Sequence, residues 1–506
     1  MKKISNILFW VILVSSAIMG GYMFICRFLH LSNGLQYDEL YSIATAMPSV
    51  GWSTIWHEML LKDINLPLFN ILLFGWHHLF PATAFYAHLF STLFGAAAVV
   101  AAWFLAPKTW PKLKTFIFVM LMSGNFMLVA YGTNVRAYSL SVLLSVSFTL
   151  LALRLIGHFE RQEKIAVRSW LAFFILGLLG AYSHYFCAAA FFSVALVVFL
   201  YACYYRNGRA WSFFGTAVTF FLWLPWLLFV LHFMGVTSGT GDTGTWWYQT
   251  PFMLSTWEIL TFLFGPGKVL CGLLAAVILI TVSLYSTHGK KLLTMPEFIL
   301  PPFQMFLLFA VLAVVGTRFN LWMDRYFLPF LPAMLIWLAC GLYHLYTRHK
   351  LLLVLLPVLL FAWVHVYWNM LYIWTKEYNG LADAFAYLTS DKGPEEVLVD
   401  NTNAGYSDKA MEVMLAHYVP KDSKLKMTFL TKDTIHKALD NRPKAPILMI
   451  LCSQIHLLNT TVEYNIEEDT MPMIFVSDTC LFTVHRYGTR EGNLRKEKIL
   501  SVPKSL

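Results

Sequence analysis

The chain has 506 residues, of which 58% are hydrophobic and only 13% are charged, and its mean hydropathy is +0.61. Soluble proteins carry about 25% charged residues, so this composition excludes an ordinary soluble enzyme, a disordered chain and a disulfide scaffold. Apolar runs of about 18 residues or more recur before residue 374, and this is the length that a helix needs to cross roughly 30 Å of hydrocarbon. The sequence therefore predicts a polytopic α-helical membrane protein.

The membrane spans are predicted from the apolar runs in chain order. The first run follows Lys2 and Lys3 and has no small-residue cleavage site, so it is interpreted as a retained helix with its N-terminus in the cytoplasm. Ten further runs have the composition of spans. The eleven predicted spans are 7–29, 82–105, 115–131, 138–157, 170–183, 186–204, 211–233, 258–286, 297–316, 326–346 and 351–373.

The apolar segment 66–80 decides the predicted topology, because it is short for a crossing and ends at His77, His78 and Pro81. We interpret it as a helix that lies at the outer membrane surface or dips partly into the membrane, within an outer loop 30–81. Fifteen Lys and Arg residues then lie in the cytoplasmic loops and six in the outer loops, which is the bias expected of inserted proteins. Insertion accounts for the cytoplasmic excess of positive charge, so no nucleic-acid partner is predicted.

The composition changes after the predicted transmembrane domain 1–373. Positions 374–506 hold 16 of the 37 Lys and Arg residues and 18 of the 28 Asp and Glu residues, which predicts a soluble α/β domain outside the membrane. Cys452 and Cys480 could pair in that domain, although spacing alone does not decide it. The predicted elements are helices at Leu381–Leu388 and Lys409–Tyr418 and strands at Val397–Val399, Met427–Leu430, Ile447–Leu451 and Met473–Val484.

The first outer loop carries two adjacent carboxylates, Asp38 and Glu39. Such a pair at a membrane surface needs solvent, a partner or a bound cation. One interpretation is an ordinary solvated loop. The other is an active site in which Asp38 is a general base and Glu39 orients it or holds a metal.

The start of the surface segment has two interpretations as well. Asp63 and Asn65 stand just ahead of Pro67, and either could cap the helix that follows. In the functional alternative, Asp63 supplies a second carboxylate that faces Asp38 across one pocket.

Three further residues lie at the outer ends of predicted spans. Arg136 and Arg325 could extend to lipid headgroups, or they could bind a phosphate with their planar guanidinium groups. Asp324 could instead form a local pair with Arg325. His184, between two short spans, could bind a metal or a phosphate, or it could cap a helix end.

These residues belong to short motifs whose order is typical of GT-C membrane glycosyltransferases. Over about residues 1–375 the chain resembles the bacterial relatives of dolichyl-phosphate-mannose protein mannosyltransferases and the aminoarabinose lipid A transferase. The motifs are Asp38-Glu39, Asp63-x-x-x-Pro67-Leu68-Phe69, Tyr131-x-x-x-x-Arg136-x-Tyr138, His184-Tyr185 and Arg325-Tyr326-x-x-Pro329-x-x-Pro332.

The resemblance implies a GT-C fold with an outer C-terminal domain, and it assigns roles residue by residue. Asp38 matches the catalytic base and Glu39 its neighbour, while Arg136 and Arg325 match basic positions near the donor phosphate. The other residues expected to bind substrate are Asp63, Tyr131, Tyr138, His184, Tyr185 and Tyr326.

The implied activity is the transfer of a sugar from a polyprenyl-phosphate donor to an acceptor at the outer face of the bacterial cytoplasmic membrane. A single displacement with Asp38 as base would invert the anomeric carbon. The expected partners are the lipid-linked donor, membrane lipid and a lipid, protein or polysaccharide acceptor. Neither the sugar nor the acceptor can be read from the sequence, because pocket shape and a few hydrogen bonds determine them.

A divalent cation, Mg²⁺ or Mn²⁺, is a possible cofactor, with Asp38, Glu39, Asp63 and His184 as candidate ligands. The chain departs from its relatives at two positions that bear on this expectation. Asn65 stands where relatives often have a histidine, and Asn134 stands where an acidic residue commonly precedes the arginine by two positions. An asparagine offers only a neutral carbonyl oxygen, so the dependence on a metal stays open.

Three other functions remain as alternatives. A transporter or flippase for a lipid-linked or anionic substrate would place ionisable residues near the bilayer midplane, often in repeated halves. A polysaccharide polymerase or ligase would share the outward chemistry and the lipid donor. A noncatalytic assembly or sensing protein would leave the residues from Asp38 to Arg136 without a role.

Overall fold

The structure is a computed structural model whose chain forms two compact units, Met1–Tyr378 and Asn379–Leu506. The sequence boundary predicted at 373/374 lies a few residues before this division. The structure describes residues 2–32, 34–62, 65–238, 265, 295–315, 324–377, 385–386, 388–390, 394–400, 408–420, 422–430, 447–451, 473–476 and 481–485.

The first unit is built almost entirely from helices. The short elements are 3₁₀ turns at Pro48–Val50, Leu60–Lys62, Asp324–Phe330 and Lys350–Val354 and a π turn at Ile55–Met59. The α-helices are α1 (Lys2–Cys26), α2 (Tyr37–Ala44), α3 (Trp52–Thr54), α4 (Leu68–Leu79), α5 (Ala84–Leu105), α6 (Lys112–Gly124), α7 (Phe126–Ala130), α8 (Tyr138–Glu160), α9 (Val167–Ser183), α10 (Tyr185–Tyr204), α11 (Arg209–Ser238), α12 (Pro296–Val315), α13 (Leu331–Arg348) and α14 (Leu355–Glu377).

Seven helical stretches in the described part of the chain are long and apolar enough to cross a membrane. They match seven of the eleven predicted spans: Asn6–Cys26, Ala84–Leu105, Tyr138–Glu160, Tyr185–Tyr204, Arg209–His232, Arg325–Arg348 and Lys350–Asn369. Of the other four, 170–183 corresponds to the shorter helix α9, 297–316 corresponds to α12, and 258–286 lies outside the described residues except for Gly265.

The eleventh predicted span, 115–131, is not one continuous helix. It is divided into α6 and α7 at Asn125, whose backbone is extended (φ −63°, ψ 121°). The Asn125 side chain accepts hydrogen bonds from the backbone N–H groups of Met127 and Leu128, at 3.1 and 3.2 Å, and so caps the new helix. The apolar run concealed this break, because Asn125 is the only strongly polar residue within it.

The segment 66–80 forms α4, a helix of 12 residues. This is short for a crossing, and the helix packs against α2, α5 and α9. Its N-cap is Pro67, without a side-chain hydrogen bond, so Asn65 does not cap it. The loop predicted as 30–81 thus contains α2, α3, the turns that follow α3, and α4.

The centre of the helical unit is α8, which packs against α5, α9 and α10. Small residues allow these helices to approach closely, as is common in membrane bundles. At Gly177 of α9, an added Cβ would lie 2.1 Å from the ring of Phe191 on α10. A side chain at that position would separate the two helices.

Arg27 is buried directly after α1 and joins the first helix to the broken pair α6 and α7. Its Nη2 donates to the carbonyl oxygens of Met122 and Ser123, each at 3.0 Å, and its Nη1 donates to that of Leu128. These carbonyls lie in or near the last turns of α6 and α7, where helix carbonyls lack intrahelical partners. A cation is favourable at such ends, because the helix dipole makes them negative.

In the second unit the structure describes one helix and a five-stranded mixed sheet. The helix α15 (Asp408–Ala416) corresponds to the predicted Lys409–Tyr418, and the predicted helix at 381–388 lies largely outside the described residues. The strand order is β2-β1-β3-β5-β4, with β1 parallel to β2 and β3, and β5 antiparallel to β3 and β4. The strands are β1 (Glu396–Asp400), β2 (Lys426–Leu430), β3 (Ile447–Leu451), β4 (Met473–Val476) and β5 (Leu481–His485).

The prediction of one strand over Met473–Val484 was wrong. Two antiparallel strands, β4 and β5, occupy this stretch and pair from Met473 opposite Val484 to Val476 opposite Leu481. The sequence between the two strands contains Ser, Asp and Thr, which are residue types that favour turns over strands. Cys452 and Cys480 lie outside the described residues.

Candidate active site

The predicted site begins at α2, which presents Asp38 in its first turn. Gln36 precedes the helix with an extended backbone (φ −70°, ψ 161°). A carboxylate in the first turn of a helix is favoured by the helix dipole. The Asp38 side chain is partly exposed, with 24% of its surface accessible, so it can meet a substrate.

The start of α2 is bonded to the turn between α7 and α8 by three contacts from consecutive turn residues. Asn134 Nδ2 donates to the Gln36 side-chain oxygen at 3.0 Å, and the backbone N–H of Val135 donates to Glu39 Oε1 at 2.8 Å. Arg136 Nη1 donates to the backbone oxygen of Asp38 at 3.3 Å. Together these three contacts hold Arg136 beside Asp38.

Two arginines approach Asp38 from different parts of the chain. Arg325 opens the 3₁₀ turn before α13 and places Nη2 3.5 Å from Asp38 Oδ2, an ion pair at the long end of the range. Arg136 Nη2 also donates to Asn65 Oδ1 at 3.4 Å. Long contacts such as these can be exchanged for a phosphate, which binds guanidinium groups more tightly.

Four aromatic rings line the same end of the helical unit. Tyr131 and Tyr138 meet edge to face with 5.5 Å between ring centres. His184 lies 5.9 Å from Tyr138 and 5.2 Å from Tyr326 by the same measure. All three tyrosines are close enough to Arg325 to interact with its charge.

His184 sits between α9 and α10 and is held neutral. Burial, together with the nearby charges of Arg136 and Arg325, lowers its pKa to about 3. Its Nδ1 accepts a hydrogen bond from the backbone N–H of Phe186 at 3.2 Å and caps α10. The helix-capping alternative is therefore realised, and the ring proton resides on Nε2.

The other predicted site residues fall into two groups. Tyr185 packs against an apolar cluster that includes Leu66 and Trp226. Asp63 lies outside the described residues. The structure thus brings both Arg136 and Arg325 into contact with Asp38. The remaining described candidates lie around them: Glu39, Tyr131, Tyr138, His184 and Tyr326.

Sequence reasoning missed His88, which faces the buried side of the site. Its Nε2 lies 3.4 Å from Glu39 Oε1, and its Nδ1 lies 3.1 Å from the backbone oxygen of Leu31. The signal was present, because a histidine in the apolar run Ala84–Leu105 needs a polar partner when it is buried. Nothing in the sequence identified Glu39 as that partner.

The described residues do not provide a metal site. No group of three or more His, Cys, Asp or Glu side chains is suitably arranged among them. Both Glu39 oxygens accept backbone hydrogen bonds, from Gln36 and Val135, and the Nδ1 of His184 is used as a cap. We therefore assign no step of the chemistry to a metal ion.

Comparison with solved structures gives an extensive fold match. The apo structure of ArnT from Cupriavidus metallidurans aligns with a TM-score of 0.57 over 92% of this chain and 97% of ArnT, at 12% sequence identity. The chain has the fold of ArnT. A second ArnT structure, bound to undecaprenyl phosphate, aligns with a TM-score of 0.54 over the same fractions at 11% identity. No protein-family model matches the chain, and no curated protein matches it in sequence.

The likeness to ArnT confirms the fold class predicted from the sequence, a polytopic helical fold like that of ArnT. At this level of identity, function has to be argued from the residues of the site. Those residues offer one partly exposed carboxylate opposite two cations, with aromatic walls and a neutral histidine. Such a site can accept a proton on one side and stabilise a departing anion on the other.

Proposed function

We propose that this protein transfers a sugar from a polyprenyl-phosphate donor to an acceptor, with inversion at the anomeric carbon. The observation that carries the proposal is the convergence of Asp38, Arg136 and Arg325 at one end of a helical unit that has the ArnT fold. The three residues are far apart in the sequence, so folding alone brings them together. An ArnT structure that binds undecaprenyl phosphate supports a lipid phosphate as the donor's carrier.

In the proposed reaction Asp38 is the general base. It removes the proton from an acceptor hydroxyl or amine as the acceptor attacks the anomeric carbon. The bond from this carbon to the phosphate oxygen breaks, and polyprenyl phosphate leaves with one additional negative charge. Attack opposite the leaving group gives inversion, and a base held near the acceptor lowers the entropic part of the barrier.

The two arginines stabilise the leaving group. Charge develops on the phosphate in the transition state, where preformed cationic donors have their largest effect. The 3.5 Å contact of Arg325 with Asp38 and the 3.3 and 3.4 Å contacts of Arg136 are weak enough to be replaced by phosphate oxygens. Binding of the donor would also free Asp38 from Arg325 so that it can accept a proton.

The site is proposed to face the outside of the cytoplasmic membrane. The excess of Lys and Arg in the alternate loops supports a cytoplasmic N-terminus and an outer position for α2 and for the 131–137 turn. The acceptor is a lipid, a protein or a polysaccharide. A transporter is the principal rival, and it differs in moving the donor lipid across the membrane with its sugar still attached.

The test is the release of polyprenyl phosphate by the full-length protein in nanodiscs. A panel of radiolabelled polyprenyl-phosphate sugars is supplied with a crude envelope fraction as acceptor. We expect release from at least one donor, a reduction of roughly 10²–10³-fold in Asp38→Asn, and a comparable reduction in Arg136→Ala. The reductions count only where the variants keep the wild-type melting temperature within a few degrees.

Glu163→Gln is the matched control, because Glu163 is an exposed carboxylate paired with Arg161 in the loop between α8 and α9. It should release polyprenyl phosphate at the wild-type rate. Release from no donor, or full activity of Asp38→Asn, would contradict the proposed reaction. Movement of intact labelled donor across proteoliposomes without release would instead identify a transporter.

A further inference from the structure

Glu39 lies next to the proposed base, yet its side chain turns away from the partly exposed site into the interior. Only 1% of the residue's surface is accessible. Its Oε2 accepts a hydrogen bond from the backbone N–H of Gln36 at 2.7 Å, and its Oε1 accepts one from that of Val135 at 2.8 Å. One carboxylate therefore bonds the residue before α2 and the turn before α8.

His88 supports the same carboxylate from a third element. It is buried on α5, with 4% of its surface accessible, and its Nε2 lies 3.4 Å from Glu39 Oε1. The opposite ring nitrogen lies 3.1 Å from the backbone oxygen of Leu31, which fixes the plane of the imidazole. A buried carboxylate is costly to desolvate, and these three partners compensate for that cost.

The contacts of Glu39 and His88 bear directly on the reacting groups. Asp38 is the neighbour of Glu39 on α2, and Arg136 is the neighbour of Val135 in the turn. Fixing Glu39 to Val135 therefore sets the distance between the proposed base and one of the two phosphate-binding arginines. Errors of about 1 Å in such a distance can lower a rate by about 10²-fold.

We infer that Glu39 and His88 form a positioning pair that sets the separation of Asp38 and Arg136, and that neither side chain touches the substrate. This inference rests on the proposed function, since it assigns the rate effect to the transfer reaction. It develops the orienting role that the sequence offered for Glu39 and differs from the metal-ligand role.

Steady-state kinetics of polyprenyl-phosphate release test the pair. In Glu39→Gln, the side-chain amide must turn an N–H toward one of two backbone N–H donors, so one bond is lost. We expect kcat to fall about 10²-fold, while the donor KM changes less than about fivefold. His88→Gln should lower kcat about tenfold, and it provides the test if Glu39→Gln does not fold.

The double variant distinguishes a pair from two separate effects. If His88 acts through Glu39, then Glu39→Gln with His88→Gln should be no slower than Glu39→Gln alone. A kcat in the double variant that falls by the product of the two single-variant reductions would overturn the inference. A wild-type kcat in Glu39→Gln would also overturn it. A tenfold shift in the Mg²⁺ or Mn²⁺ concentration that supports half-maximal activity would overturn it as well, because it would identify Glu39 as a metal ligand.

Hydrogen exchange supplies a readout that does not depend on activity. In Glu39→Gln, at least one of the peptides covering 34–41 and 131–138 should exchange faster than in the wild type, because the N–H group of Gln36 or that of Val135 loses its acceptor. Unchanged exchange in both peptides would overturn the inference even if the rate fell. If the wild-type protein released no polyprenyl phosphate, the proposed function would fail while the exchange result still decided the positioning contact.

Glu297→Gln is the matched control for both measurements, at a partly buried carboxylate. Glu297 pairs with Lys114 at 2.9 Å and accepts from Trp110, at the first turns of α6 and α12. This pair lies about 15 Å away along α6 from the break that precedes the site. The control variant should melt at a lower temperature, and both peptides near Asp38 should keep their wild-type exchange.

Discussion

The neutral state of the partly buried His184 gives the protein a defined sensitivity to acid. Its pKa is lowered to about 3 in the folded protein, from an ordinary value near 6.5 in the unfolded chain. Between these values the unfolded state binds the additional proton, so stability falls as the pH falls. The contribution of His184 is complete above about pH 6.5 and is lost progressively toward pH 3.

The size of this effect follows from the shift. Lowering the pH from 7 to 5 reduces the free energy of unfolding by about 2 kcal/mol if the histidine is fully desolvated. For a partly exposed ring the reduction is about 1 kcal/mol. A change of this size corresponds to a decrease of roughly 2–4 °C in melting temperature.

The test is His184→Asn, which keeps an oxygen to cap α10 but cannot be protonated in this range. Melting temperatures of the wild type and the variant are measured in nanodiscs at pH 7, 6 and 5. The wild type should lose roughly 2–4 °C more than His184→Asn over this interval. His78→Asn, at an exposed position of α4, should follow the wild type. Parallel curves for wild type and His184→Asn would refute the neutral state of His184.

Three substitutions near the break between α6 and α7 test the packing that supports the site. Gly132→Ala should lower the melting temperature clearly, because a Cβ there would lie 2.6 Å from the Leu128 oxygen and 3.2 Å from Arg27 Nη1. Gly95→Ala is the control, because the atom nearest to its added Cβ would lie at an ordinary contact distance of 3.5 Å. Asn125→Ala removes the cap of α7 and should cost about 1 kcal/mol, measured as a lower midpoint in thermal unfolding, and an unchanged midpoint would contradict the capping role. Arg27→Met should cost about 3 kcal/mol, because three carbonyl oxygens lose their donor; a melting temperature at or above that of the wild type would contradict this account.

The sequence predicted the features that depend on local composition. Long apolar runs became helices, because a membrane requires every backbone group to be bonded within its own segment. The prediction of one helix over 115–131 was wrong because a single buried asparagine redirects the backbone. The mean hydropathy of a long apolar run is hardly changed by one such residue. The run 473–484 failed as one strand because polar residue types interrupt its hydrophobic pattern between the two strands.

The sequence predicted which residues belong to the candidate site, but it did not predict the contacts between them. Motif order selected Asp38, Arg136 and Arg325, which the structure brings into contact. The contacts of Glu39 with His88 and Val135 join positions 49 and 96 residues apart, and no spacing rule connects them. Such contacts depend on how α2, α5 and the turn before α8 pack, which only the folded chain specifies.

The central claim is that Asp38 activates an acceptor while polyprenyl phosphate departs, and one single-turnover experiment tests it most directly. A donor with a ¹³C-labelled anomeric carbon is mixed with excess protein and acceptor, and NMR follows the configuration of this carbon alongside the release of polyprenyl phosphate. We predict one inverted sugar on the acceptor for each polyprenyl phosphate released, and a reduction of roughly 10²–10³-fold for both in Asp38→Asn. Retention of configuration, or release that is unaffected by Asp38→Asn, would contradict the mechanism.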